Sequence, residues 1–180
     1  MPETPETNPA RIVADADVLA ADLLSGGSEA QSAPVNASGE QSDPRDGNAA
    51  REAMDAIRAH SWVELVASDH LLDDAEAVVA ELADADLAAA WRERIEELRV
   101  EVEHPRGDHP ALASAYRGQA AHVLSYDEGL RSAEASATFG SRLNVSVKTP
   151  EGFAALFDPE SLYEAVANGE YPGPDRDPRE

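Results

Sequence analysis

The chain has 180 residues, 36 Asp and Glu against 14 Lys and Arg, a formal net charge of −22, and no cysteine. That length suits one domain with a real hydrophobic core, while the lack of thiols excludes disulfide frameworks, thiolate zinc, iron–sulfur clusters and cysteine nucleophiles. With no run of about 18 apolar residues and an acidic, polar N-terminal stretch, neither a membrane span nor a secretory signal is expected, and the expected location is cytoplasmic.

Residues 1–9 read as a disordered leader. Ile12, Val13 and Ala14 form a short buried-strand candidate ending at Asp15, and 18–24 continues as a helix. Residues 25–48 are almost devoid of large apolar side chains and rich in Gly, Ser, Pro and Asn, the composition of an inert surface insertion or of a mobile lid. A helix over 49–60 and a strand over 62–67 follow. Ser68 is placed to cap a helix whose apolar positions Leu71, Leu72, Ala75, Val78, Val79 and Leu82 keep the 3.6-residue period, and Leu87, Trp91, Ile95 and Leu98 mark another. After a polar turn at 104–108 come a helix over 109–118, a strand over 122–125, a helix over 127–137, an alternating strand through Leu143, Val145 and Val147, and a helical piece over 153–157. Asp158 with Pro159 opens a last helix ending near Asn168 and Gly169, and 170–180 reads as a disordered acidic tail. Short apolar strands alternating with helices predict an α/β fold around a small, mainly parallel sheet with helices on both faces, in a single domain over 10–169.

In such a sheet, ligands bind off the carboxyl ends of the strands, and there this sequence places acids. One strand candidate runs into Asp15 and Asp17, another into Ser125 and Asp127. Two explanations stand for each: a helix-capping or first-turn acid, with Ser125 and Glu128 spaced as a capping box, or a metal ligand. On the helix opened by Ser68, about 100° per residue sets Asp74 at roughly 40° from Val78, and Asp73 at roughly 160° from the apolar stripe. Asp73 should therefore face water and Asp74 the sheet, where an unpaired carboxylate is costly. Asp108, just before the 109–118 helix, has a local explanation as its N-cap.

The blocks I12-V-A-D-A-D-V-L19, S68-D-H-L-L-D-D74, D108-H-P-A-L-A-S-A115 and H122-V-L-S-Y-D-E-G-L130 resemble, in this order, the four acidic motifs of the PIN domain, and V145-S-V-K-T-P-E-G-F153 is similar to that family's last strand and following turn. The resemblance spans roughly residues 11–157. It implies a Rossmann-like three-layer α/β/α sandwich and divalent-metal-dependent ribonuclease activity, as in many members, including toxins of toxin–antitoxin pairs and RNA-processing enzymes. It makes Asp15, Asp74, Asp108 and Asp127 the catalytic, metal-binding acids and places Asp17 and Ser125 in support behind them. Asp74 departs from the pattern, which more often has Glu there, and the 25–48 stretch is an added insertion.

Converging carboxylates repel one another and resist burial unless a cation joins them. Oxygen-only ligands suit Mg²⁺ or Mn²⁺, which would activate water and neutralise charge at a scissile phosphate. The partners expected are RNA, single-stranded rather than duplex, and no membrane, with an antitoxin or other protein and a second copy of the chain as open options. Arg11, Arg117 and Arg131, with Arg142 and Lys148, are the candidate phosphate contacts, each equally explained by pairing with surface acids. His104 and His109 flank Asp108 and fit a surface loop.

Net charge weighs against a nucleic-acid partner, since a polyanion repels phosphate. Strong acidity with thirteen Arg and a single Lys, however, is the composition of a halophilic protein, and at about 1 M salt the screening length falls to about 3 Å. An acidic disordered activator or a nucleic-acid mimic would carry its charges in blocks, and here they are interleaved with apolar residues. Two rivals to the enzyme remain: a PIN-like binding or scaffold protein without catalysis, and an acidic interaction protein whose aspartates are caps and surface charge.

Overall fold

The computed structural model describes residues 6–25, 44–131 and 145–178. In chain order the elements are β1 (Asn8–Ala14), α1 (Ala16–Ser25), α2 (Pro44–Arg58), β2 (Glu64–Ser68), α3 (Asp69–Leu82), α4 (Ala85–Leu98), β3 (Arg99–Val102), α5 (Pro110–Gly118), β4 (Ala120–Leu124), α6 (Glu128–Arg131), β5 (Ser146–Lys148), α7 (Pro150–Leu156) and α8 (Pro159–Ala167). The strands form one all-parallel sheet in the order β3-β2-β1-β4-β5. Helices flank it, giving the expected Rossmann-like three-layer sandwich. Among the described residues, no helix is long and apolar enough to cross a membrane.

Local chemistry sets most element ends. Ser68 caps α3 by accepting from Leu71 N–H, Asp84 caps α4 through Leu87 N–H, Thr149 caps α7 through Gly152 N–H, and Asp158 caps α8 through Ser161 N–H. At the other end of α8, Asn168 closes the helix in the left-handed conformation. β3 has no counterpart in the sequence reading: Arg-Val-Glu-Val continues directly from α4, and no turn residue separates helix from strand.

Parallel crossovers are right-handed. The connections from β1 to β2 and from β2 to β3 therefore run over one face, and the return from β3 to β4 runs over the other. α5 makes that return and packs across all four of β1 to β4. It lies so close that a Cβ added to Gly118 would stand 2.4 Å from Val66 Cγ1. α1 packs on both α2 and α3, and α7 packs on α2. Ile12, Val13, Leu65, Val66, Val123 and Leu124 are fully buried between the layers, as expected for parallel strands covered on both sides.

One ion pair is built into this packing. Asp22 of α1, 5% exposed, takes two hydrogen bonds from the Arg58 guanidinium of α2, one of them 3.0 Å long. Burial pushes the Asp22 carboxyl above its usual range, and Arg58 pulls against that shift.

The segment after α8, which composition reads as a disordered tail, makes specific contacts as far as Arg176. Asp175 and Arg176 donate backbone N–H groups to Ala59 O, and Tyr171 bonds His60. Likewise the supposed leader overlaps β1, whose first residue donates from Asn8 N to Gln119 O at 2.7 Å. Residues 1–5, 26–43 and 132–144, which include most of the expected insertion, Leu143 and the end of the expected 127–137 helix, lie outside the described residues.

Two substitutions test the packing. Gly118→Ala should cost about 1–3 kcal/mol through overpacking, and Val66→Ala in the same chain should recover part of it, as measured by chemical denaturation in molar KCl. Asp22→Ala, which leaves Arg58 only its longer pair with Asp55 at 3.6 Å, should cost about 2 kcal/mol in the same assay.

Candidate functional site at the β1–β4 switch point

The strand order reverses direction between β1 and β4, and an open α/β sheet has its crevice at that point, outside the carboxyl ends. Both strands stay hydrogen-bonded to their last residue: Asp15 N–H donates to Leu124 O, and Ser125 N–H to Lys148 O, each at 2.9 Å. The next side chains thus start from fixed positions. Ser125, fully buried, donates its hydroxyl to Asp15 Oδ2 at 2.8 Å and accepts from Asp127 N–H at 3.0 Å. One hydroxyl therefore links the two strand ends.

Each acid also engages a neighbouring N–H. Asp15 Oδ1 accepts from Ala16, Asp17 Oδ1 from Val18 and Asp127 Oδ1 from Gly129, all at 2.8 Å. The last of these makes Asp127 the local cap of the short α6, so capping and site membership coexist there. Asp17 is reached by solvent, yet desolvation by the surrounding protein is the first cause of a pKa raised to about 6. Solvent on one side and protein on the others describe a carboxylate in a cleft. Asp15 and Asp127 push the same pKa up by charge repulsion, and the N–H groups of Val18 and Tyr126 act against them. Asp15, Asp17 and Asp127 thus sense one another, and none of the three has a cationic partner among the described residues.

Asp74 and Asp108 stand differently. Asp74 is exposed, against the expectation that it faces the sheet. The buried residues of α3 are Leu71, Leu72, Ala75 and Val79, and Val78 is only half-buried. The stripe is centred between Leu72 and Ala75, which puts Asp74 about 115° away at about 100° per residue. Asp73 is exposed as expected and pairs with Arg92 at 2.8 Å. Asp108 is exposed in the turn before α5, its N–H donating to Pro105 O; the N-cap of α5 is His109, with no side-chain bond and Pro110 behind it. Among the described residues no group of three or more His, Asp or Glu stands close enough together to hold a metal ion.

The candidate phosphate contacts also separate. Arg11 is tied to Glu64 at 2.6 Å and to Gly118 O at 3.0 Å, at the end of the sheet opposite the crevice. Arg117 is exposed in the last turn of α5, at that same far end. Arg131, also exposed, ends α6 four residues beyond Asp127, on the crevice side. Lys148 closes β5, one strand away; Arg142 lies outside the described residues.

A second polar group, absent from the sequence reading, sits beside the crevice on β2 and β3. His104 Nδ1–H donates to Pro105 O at 2.9 Å, so its Nε2 accepts the Ser68 hydroxyl at 2.8 Å. Ser68 is 1% exposed and also accepts from Leu71 N–H, and the ring of His70 lies 5.1 Å from that of His104. This group clasps the ends of β2 and β3 together. The only sequence signal for it was the capping position of Ser68.

The architecture and its switch-point crevice define an α/β protein of the open, doubly wound class. Within that class, the chain belongs to DUF7384, a family of unknown function, whose model matches residues 41–179. No curated protein and no solved structure matches the chain. Asp15 and Asp17 lie outside the matched span; Ser125 and Asp127 lie inside it.

The Asp17 shift gives a pH dependence with a definite sign. A carboxyl whose folded pKa is raised from 3.8 to about 6 contributes stability below the unfolded value and loses it as pH rises through the folded one. Relative to Asp17→Asn, the native chain should thus lose stability between about pH 4 and pH 6, by on the order of 1 kcal/mol once solvent screening of this exposed group is allowed for. Denaturant midpoints of both chains across that range, at fixed molar KCl, check the slope.

Proposed function

We propose that this chain is a divalent-metal-dependent endoribonuclease of PIN type, with its centre in the β1–β4 crevice. The observation that carries the reading is that Asp15 and Asp127 both repel Asp17, with none of the three paired to a cation among the described residues, while the Ser125 hydroxyl joins the Asp15 carboxylate to the Asp127 N–H. Such crowding is unfavourable for folding alone, and a cation relieves it.

The donor set fits a hard cation. It is all oxygen, and every carboxylate keeps lone pairs beyond its hydrogen bonds. Mg²⁺ is commonly bound by one or two carboxylates with several waters and substrate phosphate, so Asp15 and Asp127 suffice as its holders without a three-ligand cage. Bound there, Mg²⁺ or Mn²⁺ would supply Lewis-acid activation of water and charge neutralisation at the phosphodiester. Ser125 fixes the orientation of Asp15 and the loop that carries Asp127. Asp17, exposed two residues beyond Asp15, is suited to accept a proton from the attacking water. Arg131 is the cation placed to meet a substrate phosphate, and single-stranded RNA bends into a crevice more readily than a duplex. Whether such an enzyme serves as a toxin with a cognate antitoxin or in RNA processing is a separate question of partners.

A second reading, a PIN-like binding or scaffold protein without catalysis, draws on one observation: Asp74 and Asp108, which the resemblance assigns to the same centre, are both exposed in the structure.

Single-stranded RNA in molar KCl should be cleaved only with Mn²⁺ or Mg²⁺. Asp15→Asn and Asp127→Asn should each reduce the rate by about 100-fold or more, and Ser125→Ala by about 10- to 100-fold as a residue supporting a ligand. Cleavage that is equal in native, Asp15→Asn and Asp127→Asn chains would sink the proposal. Thermal stabilisation by Mn²⁺ that is lost in Asp15→Asn, with no cleavage in any chain, would favour the binding protein instead.

A further inference from the structure

Five of the nine Phe, Trp and Tyr residues gather at one place far from the acidic crevice, around the turn between α2 and β2. His60, 4% exposed, is their centre, with ring distances of 5.5 Å to Trp62, 5.7 Å to Phe157 and 5.7 Å to Tyr171. Trp62 also meets Tyr163 at 5.2 Å. Into this cradle the chain lays its own C-terminal segment, Glu-Tyr-Pro-Gly-Pro-Asp-Arg, residues 170–176.

The segment is held at two points. His60 Nδ1–H donates to Ala56 O at 2.7 Å, which leaves Nε2 to accept the Tyr171 hydroxyl at 2.6 Å. Four residues on, the Asp175 carboxylate accepts from both the N–H and the hydroxyl of Ser61, while Asp175 and Arg176 donate to Ala59 O. Between the two points Pro172 and Pro174 stiffen the strap, and Gly173 at φ +88° turns it. The five hydrogen bonds of the strap reach residues 59–61, more than a hundred positions away in sequence. Its joint to α8 is Asn168 in the left-handed conformation followed by Gly169, around which a Cβ would meet nothing within 4 Å. The joint is therefore exposed and unpacked, where a hinge meets least resistance. The closed form also leaves one donor unmet, since Trp62 Nε1 is buried without a partner.

We propose that the strap is exchangeable: residues 170–178 leave the cradle as a unit, and the vacated cradle takes the same segment from a second copy of the chain. Because every anchor joins the strap to the body of the fold, a two-fold pair reproduces each contact twice with no new chemistry, as in exchange of an identical element between protomers. Two bodies of charge −22 repel one another in dilute buffer. At about 1 M salt that repulsion reaches only about 3 Å, so exchange belongs to molar KCl.

The absence of native cysteine gives a clean test on the full chain. Ser61→Cys and Asp175→Cys are made in separate chains and mixed under mild oxidation in molar KCl. A link between positions 61 and 175 of different chains should rise with protein concentration and exceed, by about tenfold or more, the link from Ser61→Cys to Leu82→Cys, an exposed position at the end of α3. In parallel, light scattering should show the unmodified chain moving from monomer to dimer with concentration, and Tyr171→Ala with Asp175→Asn remaining monomeric. Equal cross-linking to positions 175 and 82 overturns the proposal, as does an unmodified chain that stays monomeric throughout or a double variant that dimerises equally.

Discussion

The parallel pairing of β1 with β4 is the constraint on which the rest of the molecule depends. It sets β1 in the middle of the sheet, with the β1–β2 crossover on one face and the β3–β4 crossover on the other, and so opens a crevice at the carboxyl ends of β1 and β4. The backbone stays paired up to Asp15 and Ser125. The residues that follow have little freedom left, and Ser125 uses its one hydroxyl to join them. The fold thus sets the acids after β1 and after β4 at the same end of the sheet by chain direction alone.

The acids of this chain fall into two physical classes. Those on α3, α4 and β3 are organised by arginine: Arg92 reaches Asp69, Asp73, Glu76 and Glu96, and Arg99 reaches Asp69 and Glu101. These networks, centred on two mostly buried guanidinium groups, tie α3, α4 and β3 together. The crevice acids have no such compensation. Burial first, and then repulsion from Asp15 and Asp127, raises the pKa of the Asp17 carboxyl. Position relative to arginine, rather than the number of acids, separates the two classes.

Most of the fold was legible because its signals are local. The caps at Ser68 and Asp158, the apolar period of α3 and α4, and the acids after β1 and β4 each depend on residues a few positions apart. What escaped depends on distance in space. β3 carries no boundary of its own and becomes a strand only because β2 offers it a partner. Asp74 was assigned to the sheet side because Val78 was counted in the stripe, and only packing shows the stripe to be centred elsewhere. The Ser68–His104 clasp joins two loops 36 positions apart. The C-terminal strap has the composition of a solvated tail, and its order comes from a receptor more than a hundred residues earlier.

The family match and the sheet topology bear on each other. The matched span, 41–179, contains β2, β3, β4 and β5 but not β1. β2 and β4 do not pair with one another; both pair with β1, and β2 joins β4 and β5 only through it. Without β1 the matched span would hold two separate two-stranded ribbons, each with an apolar edge open where Ile12 and Val13 now lie fully buried. The segment before residue 41 is therefore part of the folding unit rather than an appendage to it. Since that segment also supplies Asp15 and Asp17, the strand that completes the sheet is the one that completes the crevice, and Asp15→Asn probes the chemistry while leaving the buried strand intact.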